Sequence, residues 1–254
     1  MSDIRIFSYL PNPRVWKSLI AADFCGVEVE VVGDRPPNLG KWLWDFDARE
    51  LPDSERTDDS SHARTGRRGF SGTLYKTDKF MKAHPYGTVP AAFSPDGEIG
   101  VFESNSILRA TVRASMQDHG LYGRTEFEAS RVDSFLDAGL VFGREAQVYL
   151  LGLNDITAET HARMAAAYEF YVSGIDEALK HQDYVATNEL TIADIAYVCD
   201  TGQFLRERRS EEALLKNGFK MLLFNKEDPN CNEHTVCLAA VSYTHLTLPT
   251  KRIV

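Results

Sequence analysis

The sequence predicts an α/β domain followed by an all-helical domain. Three observations carry this. A strand–helix–strand pattern runs from Ile4 to Val32. Two short apolar runs between His84 and Asn105 flank Ser94-Pro95-Asp96-Gly97, a tight-turn signal, and lead straight into helical spacing. Beyond about residue 125 apolar residues recur by threes and fours, as on a helix face. A chain of 254 residues, 43% hydrophobic and 26% charged, has the composition of an ordinary soluble protein of one or two domains.

The elements follow in order. Ile4–Ser8 alternates and reads as the first strand. Tyr9–Pro13 is a loop in which Pro11 and Pro13 flank Asn12, and Pro13 suits the first turn of a helix. Trp16, Leu19, Ile20 and Phe24 then hold helical spacing, with Gly26 as the stop. Val27–Val32 is β-branched, a second strand. A strand–helix–strand unit of this length pairs its strands in parallel.

Residues 33–74 read as a long insertion. It opens with Pro36-Pro37, carries the aromatic run Trp42-Leu43-Trp44-Asp45-Phe46-Asp47, and passes through a polar stretch to Arg64-Thr65-Gly66-Arg67-Arg68-Gly69-Phe70-Ser71-Gly72. Connections beyond ~15 residues are usually functional or disordered. The aromatic run is expected to pack on its own domain, with the cover of an active-site cleft or of a subunit interface as alternatives. Arg64, Arg67 and Arg68 read as a solvated basic loop or as an anion contact, and nothing there matches a phosphate-binding loop. Thr77–Lys82 reads as a short helix.

Val89–Phe93 and Ile99–Phe102 are the next strands, with Pro90 where a strand start or edge tolerates the missing N–H. Glu103-Ser104-Asn105 opens a helix marked by Ile107, Leu108, Thr111 and Val112. Ser104 reads either as an N-cap or as part of an anion site, because a helix start has unsatisfied N–H groups and partial positive charge. With the first unit this completes a thioredoxin-like pattern, a domain over residues 1–120.

After Leu121-Tyr122-Gly123-Arg124 the chain turns helical, and residues 125–217 are expected to form an all-α domain. Thr125–Leu153 presents a broad apolar face. Thr157 is placed to cap the next helix, whose Ala165, Tyr168, Val172, Ile175 and Leu179 are strongly amphipathic. Two such helices joined by a short loop pack antiparallel. Phe135, Phe142, Tyr149 and Tyr168 are either core or the lining of a second-substrate pocket. Thr191 and Asp194 have capping-box spacing, which makes Asp194 structural. From Gly218 the periodicity fades. Residues 218–254 read as doubtful, with Ser242–Val254 worded like translated adaptor sequence, so Cys231, His234 and Cys237 are given no metal or other function.

A net charge of −9 speaks against nucleic-acid binding. No run reaches the ~18 apolar residues of a membrane helix. The N-terminus enters a strand pattern without signal-peptide character. Cys25, Cys199, Cys231 and Cys237 form no CxxC pair and no zinc spacing. The expectation is a cytoplasmic, reduced protein without a metal.

Gly87-Thr88-Val89-Pro90 followed by Glu103-Ser104-Asn105 resembles the glutathione-binding half of the glutathione transferase fold. Val101-Phe102-Glu103-Ser104-Asn105-Ser106-Ile107 and Tyr9–Ala22 are most similar to the transferase-like domain of the elongation factor 1 gamma subunit and its bacterial relatives. The resemblance implies glutathione as co-substrate, an electrophilic small molecule as second substrate, and a homo- or heterodimer. It implies a cis Pro90, a backbone pairing of Val89 with the cysteinyl part of glutathione, and Glu103 and Ser104 on the γ-glutamyl group. In that fold the first loop supplies a donor that holds the sulfur as thiolate. Asn12, Tyr9 and Ser8 are the candidates, ranked in that order; the plainer reading has Tyr9 packing, Asn12 making a turn bond and Ser8 ending a strand. Exchange by an enzyme cysteine is disfavoured, since the first loop has none. The alternative to an enzyme is a non-catalytic interaction domain like that of the gamma subunit.

Overall fold

The computed structural model describes residues 2–66 and 69–222. The chain divides into two compact units, Met1–His119 and Gly120–Val254. Arg67 and Arg68, and the tail expectations for residues 223–254, including Cys231, His234 and Cys237, lie outside the described residues.

The first unit is built on a four-stranded sheet. Strand β1 (Ile4–Tyr9), helix α1 (Pro13–Cys25) and β2 (Val29–Asp34) form the expected unit, with β1 and β2 parallel. Gly26 closes α1 at φ 67, the left-handed region where a missing Cβ costs nothing. Strands β7 (Ala91–Phe93) and β8 (Gly100–Phe102) form the later hairpin, shorter by a residue or two than their apolar runs, and α3 (Ser104–Arg113) follows. The sheet order is β2-β1-β7-β8, with β7 antiparallel to β1.

Strand alternation sorts the core into two layers. Ile4, Ile6 and Ala92 point to one face and pack with Val15 of α1 and Ile107 of α3. Phe7, Ala91 and Phe93 point to the other. There they meet Leu39, Trp44, Ala48, Leu74 and Phe80. Phe80 belongs to α2 (Asp78–Ala83), which is capped by Thr77. A helix of six residues covers little of a sheet, and the insertion does the rest.

The insertion is an ordered second sheet. β3 (Trp42–Trp44), β4 (Arg49–Glu50), β5 (Ala63–Thr65) and β6 (Thr73–Lys76) take the order β4-β3-β6-β5. Trp44 is fully buried, donates its indole N–H to the Leu39 carbonyl at 3.0 Å, and meets Phe7, Phe70 and Phe80 edge-on. Phe46 packs on Phe93, and a Cβ at Gly97 would enter the Phe46 ring at 2.7 Å, so the hairpin turn needs its glycine. The aromatic run therefore packs on its own domain. Arg64 is held by Asp78 and by the Ser61 and Ala63 carbonyls, a structural arrangement.

The second unit holds α4 (Glu126–Leu151), α5 (Ala158–Leu179), α6 (Ile192–Gly202) and α7 (Glu211–Lys216). Thr125 with Glu128 and Thr191 with Asp194 form capping boxes, and Thr157 caps α5. Phe142 stacks on Tyr171 at 4.4 Å and on Phe204 at 5.6 Å, and Tyr149 is fully buried. Phe142 and Tyr149 are thus core. Tyr168 meets Phe204 edge-on, and Phe135 is half-buried under Arg131. The chain stays bonded to this unit through Leu222. The Leu222 N–H donates to buried Glu207 at 2.7 Å, beside the Tyr149 hydroxyl on the same oxygen, and Phe219 stacks on His161.

Candidate functional site

The residues singled out in the first unit converge at one end of its main sheet. Phe7 pairs with Ala91 across β1 and β7. Continuing that register sets Ser8 level with Pro90 and Tyr9 level with Val89. The Val89–Pro90 bond is cis, and so is Leu10–Pro11, which no motif in the first loop marks.

The first-loop side is closed. Ser8 and Asn12 are both fully buried. The Asn12 amide donates to the Ser8 hydroxyl at 3.0 Å, and its carbonyl oxygen accepts from the Arg14 N–H at 3.0 Å, so Asn12 is the N-cap of α1. Tyr9 is half-buried and packs against the same apolar cluster as Val89. A Cβ at Gly33 would lie 1.7 Å from the Ser8 carbonyl oxygen, so only glycine lets β2 approach β1 here.

The far side is open. Glu103, not Ser104, is the N-cap of α3, and its side chain makes no capping bond. The cap expected of Ser104 is therefore corrected: Ser104 is the first residue inside the helix. Glu103 has φ 66, the one positive value at a non-glycine among the described residues. That backbone is costly for a residue with a Cβ, and such outliers gather at binding sites. It leaves the carboxylate exposed while the Glu103 carbonyl accepts from the Ile107 N–H at 2.9 Å. Ser104 is 7% exposed, at the positive end of the helix. An exposed carboxylate beside a hydroxyl at a helix start combines an acceptor for an ammonium with hydroxyl and N–H donors for a carboxylate, the pairing a zwitterionic amino-acid group needs.

Between these sides runs the segment 84–90, and two residues not foreseen as important hold it. Lys76, 7% exposed, donates its ammonium to the Gly87 carbonyl at 2.7 Å and lies 4.6 Å from the centre of the Trp44 ring. His84, 1% exposed, ends α2 inside a nest of Phe80, Phe93 and Phe102 rings, and neither ring nitrogen makes a well-formed hydrogen bond. Burial pushes its pKa down to about 4, against a smaller opposite pull from the Ala92 backbone. No sequence signal marks Lys76 as buried. His84 is flagged only by its place before Pro85.

Among the described residues no group of three or more His, Cys, Asp or Glu is placed to hold a metal, and no helix is long and apolar enough to cross a membrane.

Known proteins share this architecture. A glutathione S-transferase 1-6 from Anopheles dirus species B superposes with a TM-score of 0.55 at 16% identity, over 95% of this chain and 99% of its own. A glutathione-bound glutathione S-transferase from Methylobacillus flagellatus does so with a TM-score of 0.55 at 13% identity, over 94% and 93%. The fold is that of the glutathione transferases. In sequence the chain is similar to elongation factor 1-gamma 2 of Oryza sativa subsp. japonica, 26% identical over 194 residues, 74% of this chain and 37% of that one. It is also similar to the glutathione S-transferase-like protein LUC7 of a Fusarium species, 24% identical over 196 residues, 75% of this chain and 73% of that one. The chain spans a little over a third of the length of the elongation-factor relatives it matches. No protein-family model matches it.

Proposed function

We propose that the protein is a cytoplasmic, dimeric glutathione transferase that binds glutathione on its first unit and presents the thiol to an electrophilic small molecule. The observation that carries this reading is the open half of the site: Glu103 exposed at a strained position and Ser104 at the start of α3. Glutathione fits these groups. Its γ-glutamyl ammonium meets Glu103, its γ-glutamyl carboxylate meets Ser104 and the helix N–H groups, and its cysteinyl amide pairs with the Val89 backbone. The sulfur then lies toward Ser8, Tyr9 and Asn12. The thiol gives up its proton to solvent, the thiolate forms a carbon–sulfur bond, and the leaving group departs with its bonding electrons. Holding both reactants together supplies much of the acceleration. Tyr9 is favoured as the donor to sulfur, because Ser8 and Asn12 are fully buried and bonded to one another.

That same closed pair favours a second reading, a non-catalytic interaction domain of the kind named in the elongation-factor relatives. Isothermal titration with glutathione, followed by turnover of a chloronitrobenzene electrophile, separates the two. Binding with turnover supports the transferase. Binding without turnover, or none, together with stable capture of a defined protein partner, supports the interaction domain.

A further inference from the structure

We infer that Lys76 is a positioning residue through which the inserted sheet sets the backbone that holds glutathione, an inference that rests on the transferase reading above. Lys76 ends β6, in the middle of the second sheet, and its register partner on β3 is Trp44. A lysine ammonium this deeply buried is expensive to desolvate, so the fold keeps it only where its hydrogen bonds and charge are used. One of those bonds leaves the inserted sheet. The ammonium donates to the carbonyl of Gly87 at 2.7 Å, two residues before Val89, while the Trp44 ring at 4.6 Å shields the charge and holds the side chain in place. The bond from a charged donor is stronger than one between neutral groups.

The loop is fitted to this contact from its own side. Gly87 has φ +57, and a Cβ there would stand 3.1 Å from the Lys76 nitrogen and 3.2 Å from the Met81 sulfur. Its N–H donates back to the His84 carbonyl at 2.8 Å. The segment between the end of α2 and the start of β7 has no regular structure of its own, so a charged bond at its midpoint fixes where Thr88 and Val89 lie. A mutation in the insertion is then felt at the Val89 peptide, which in the transferase reading pairs with the cysteinyl amide. The Glu103–Ser104 side belongs to a different element, the start of α3.

The test is Lys76→Met, which keeps the length and the apolar contact with Trp44 and removes the charge and the bond. Amide hydrogen exchange over residues 86–89 is expected to quicken about tenfold, with β1 and β2 unchanged, and the glutathione dissociation constant to rise about tenfold. Binding of γ-glutamyl methylamide, which reaches only the Glu103–Ser104 side, is expected to stay within twofold by NMR titration; general unfolding would weaken both ligands and quicken exchange everywhere. Unchanged exchange at 86–89, or quicker exchange with unchanged glutathione affinity, overturns the inference. Should Lys76→Met not fold, Gly87→Ala disturbs the same contact from the loop side and must give the same split. If the unaltered protein binds no glutathione, the transferase reading falls, and the exchange result alone supports or overturns the setting of the loop by Lys76.

Discussion

Ser8 and Asn12 sit fully buried and bonded to one another on the first-loop side of the site, whereas Glu103 stands exposed at a strained helix start on the other. The contrast separates two tasks. On the open side the polar groups are exposed or at a helix start, and the backbone cost falls at Glu103, whose side chain faces outward; in the transferase reading this is the side that receives the ligand. On the closed side Asn12 caps α1 and bonds Ser8, and Tyr9, half-buried, is the candidate donor that keeps exposed surface. In the transferase reading, binding and activation then fall on different sides of the site and can be tested apart.

The largest expected effect falls on the segment between the two sides. His84 has a folded pKa of about 4 against an ordinary 6.5. Between those values the unfolded chain binds the proton and the folded chain does not, so stability falls as pH drops from 6.5 toward 4, and this group adds nothing further below 4 or above 6.5. The loss amounts to about 3 kcal/mol. Urea unfolding at pH 7 and pH 4.5 measures it, with His84→Phe as the control. The variant should lose markedly less stability on acidification; parallel losses in both proteins would show that His84 titrates normally.

Next in size is Ser104→Ala. Removing a hydroxyl partner from a ligand carboxylate should weaken glutathione binding by about 2 kcal/mol. Because Glu103 is the cap, unfolding free energy should change by no more than about 0.5 kcal/mol. Calorimetric affinity and thermal unfolding on one preparation decide it: a drop in stability with affinity intact would return Ser104 to a structural role.

Asn12→Ala tests the closed side. It removes the cap on α1 and the bond to Ser8, and should cost about 1–2 kcal/mol of stability. The pKa of bound glutathione thiol, read by thiolate absorbance, should not move. A raised thiol pKa would mean that the Asn12 amide turns from Ser8 to sulfur on binding, and would close the distinction between the two sides.

Much of this fold can be read from the sequence because it rests on local signals. The alternation of Ile4 and Ile6, the glycine stop at Gly26, and the capping spacing of Thr191 and Asp194 each act over a few residues. The second sheet was hidden because its strands are two to four residues long, too short for periodicity, and its Trp42–Trp44 strand pairs in parallel with a partner about thirty residues away. Glu103 and Ser104 were legible as a pair, but which of them caps the helix depends on a backbone angle at Glu103 that its residue type disfavours. Lys76 reads as a surface lysine, and only tertiary structure places Trp44 and Gly87 around it.

The smallest expected effect is that of Tyr9→Phe, and it bears most directly on whether the protein is an enzyme. Tyr9 ends β1, two residues beyond the Phe7–Ala91 pair, is half-buried, and belongs to the face on which Val89 packs. In the transferase reading the phenol hydroxyl there donates to the sulfur of glutathione paired with the Val89 backbone. A donor favours the thiolate over the thiol, so its loss should raise the bound thiol pKa by about half a unit to one unit, roughly 1 kcal/mol. Because the ring is kept, packing and glutathione affinity should be unchanged, and turnover at pH 6.5 should fall while turnover at high pH, where the thiol ionises unaided, is restored. That recovery distinguishes lost activation from a distorted site, which would stay slow at every pH. A thiol pKa equal in Tyr9→Phe and the unaltered protein, and equal to that of free glutathione in both, would leave the first loop without an activating group and make the interaction domain the better account.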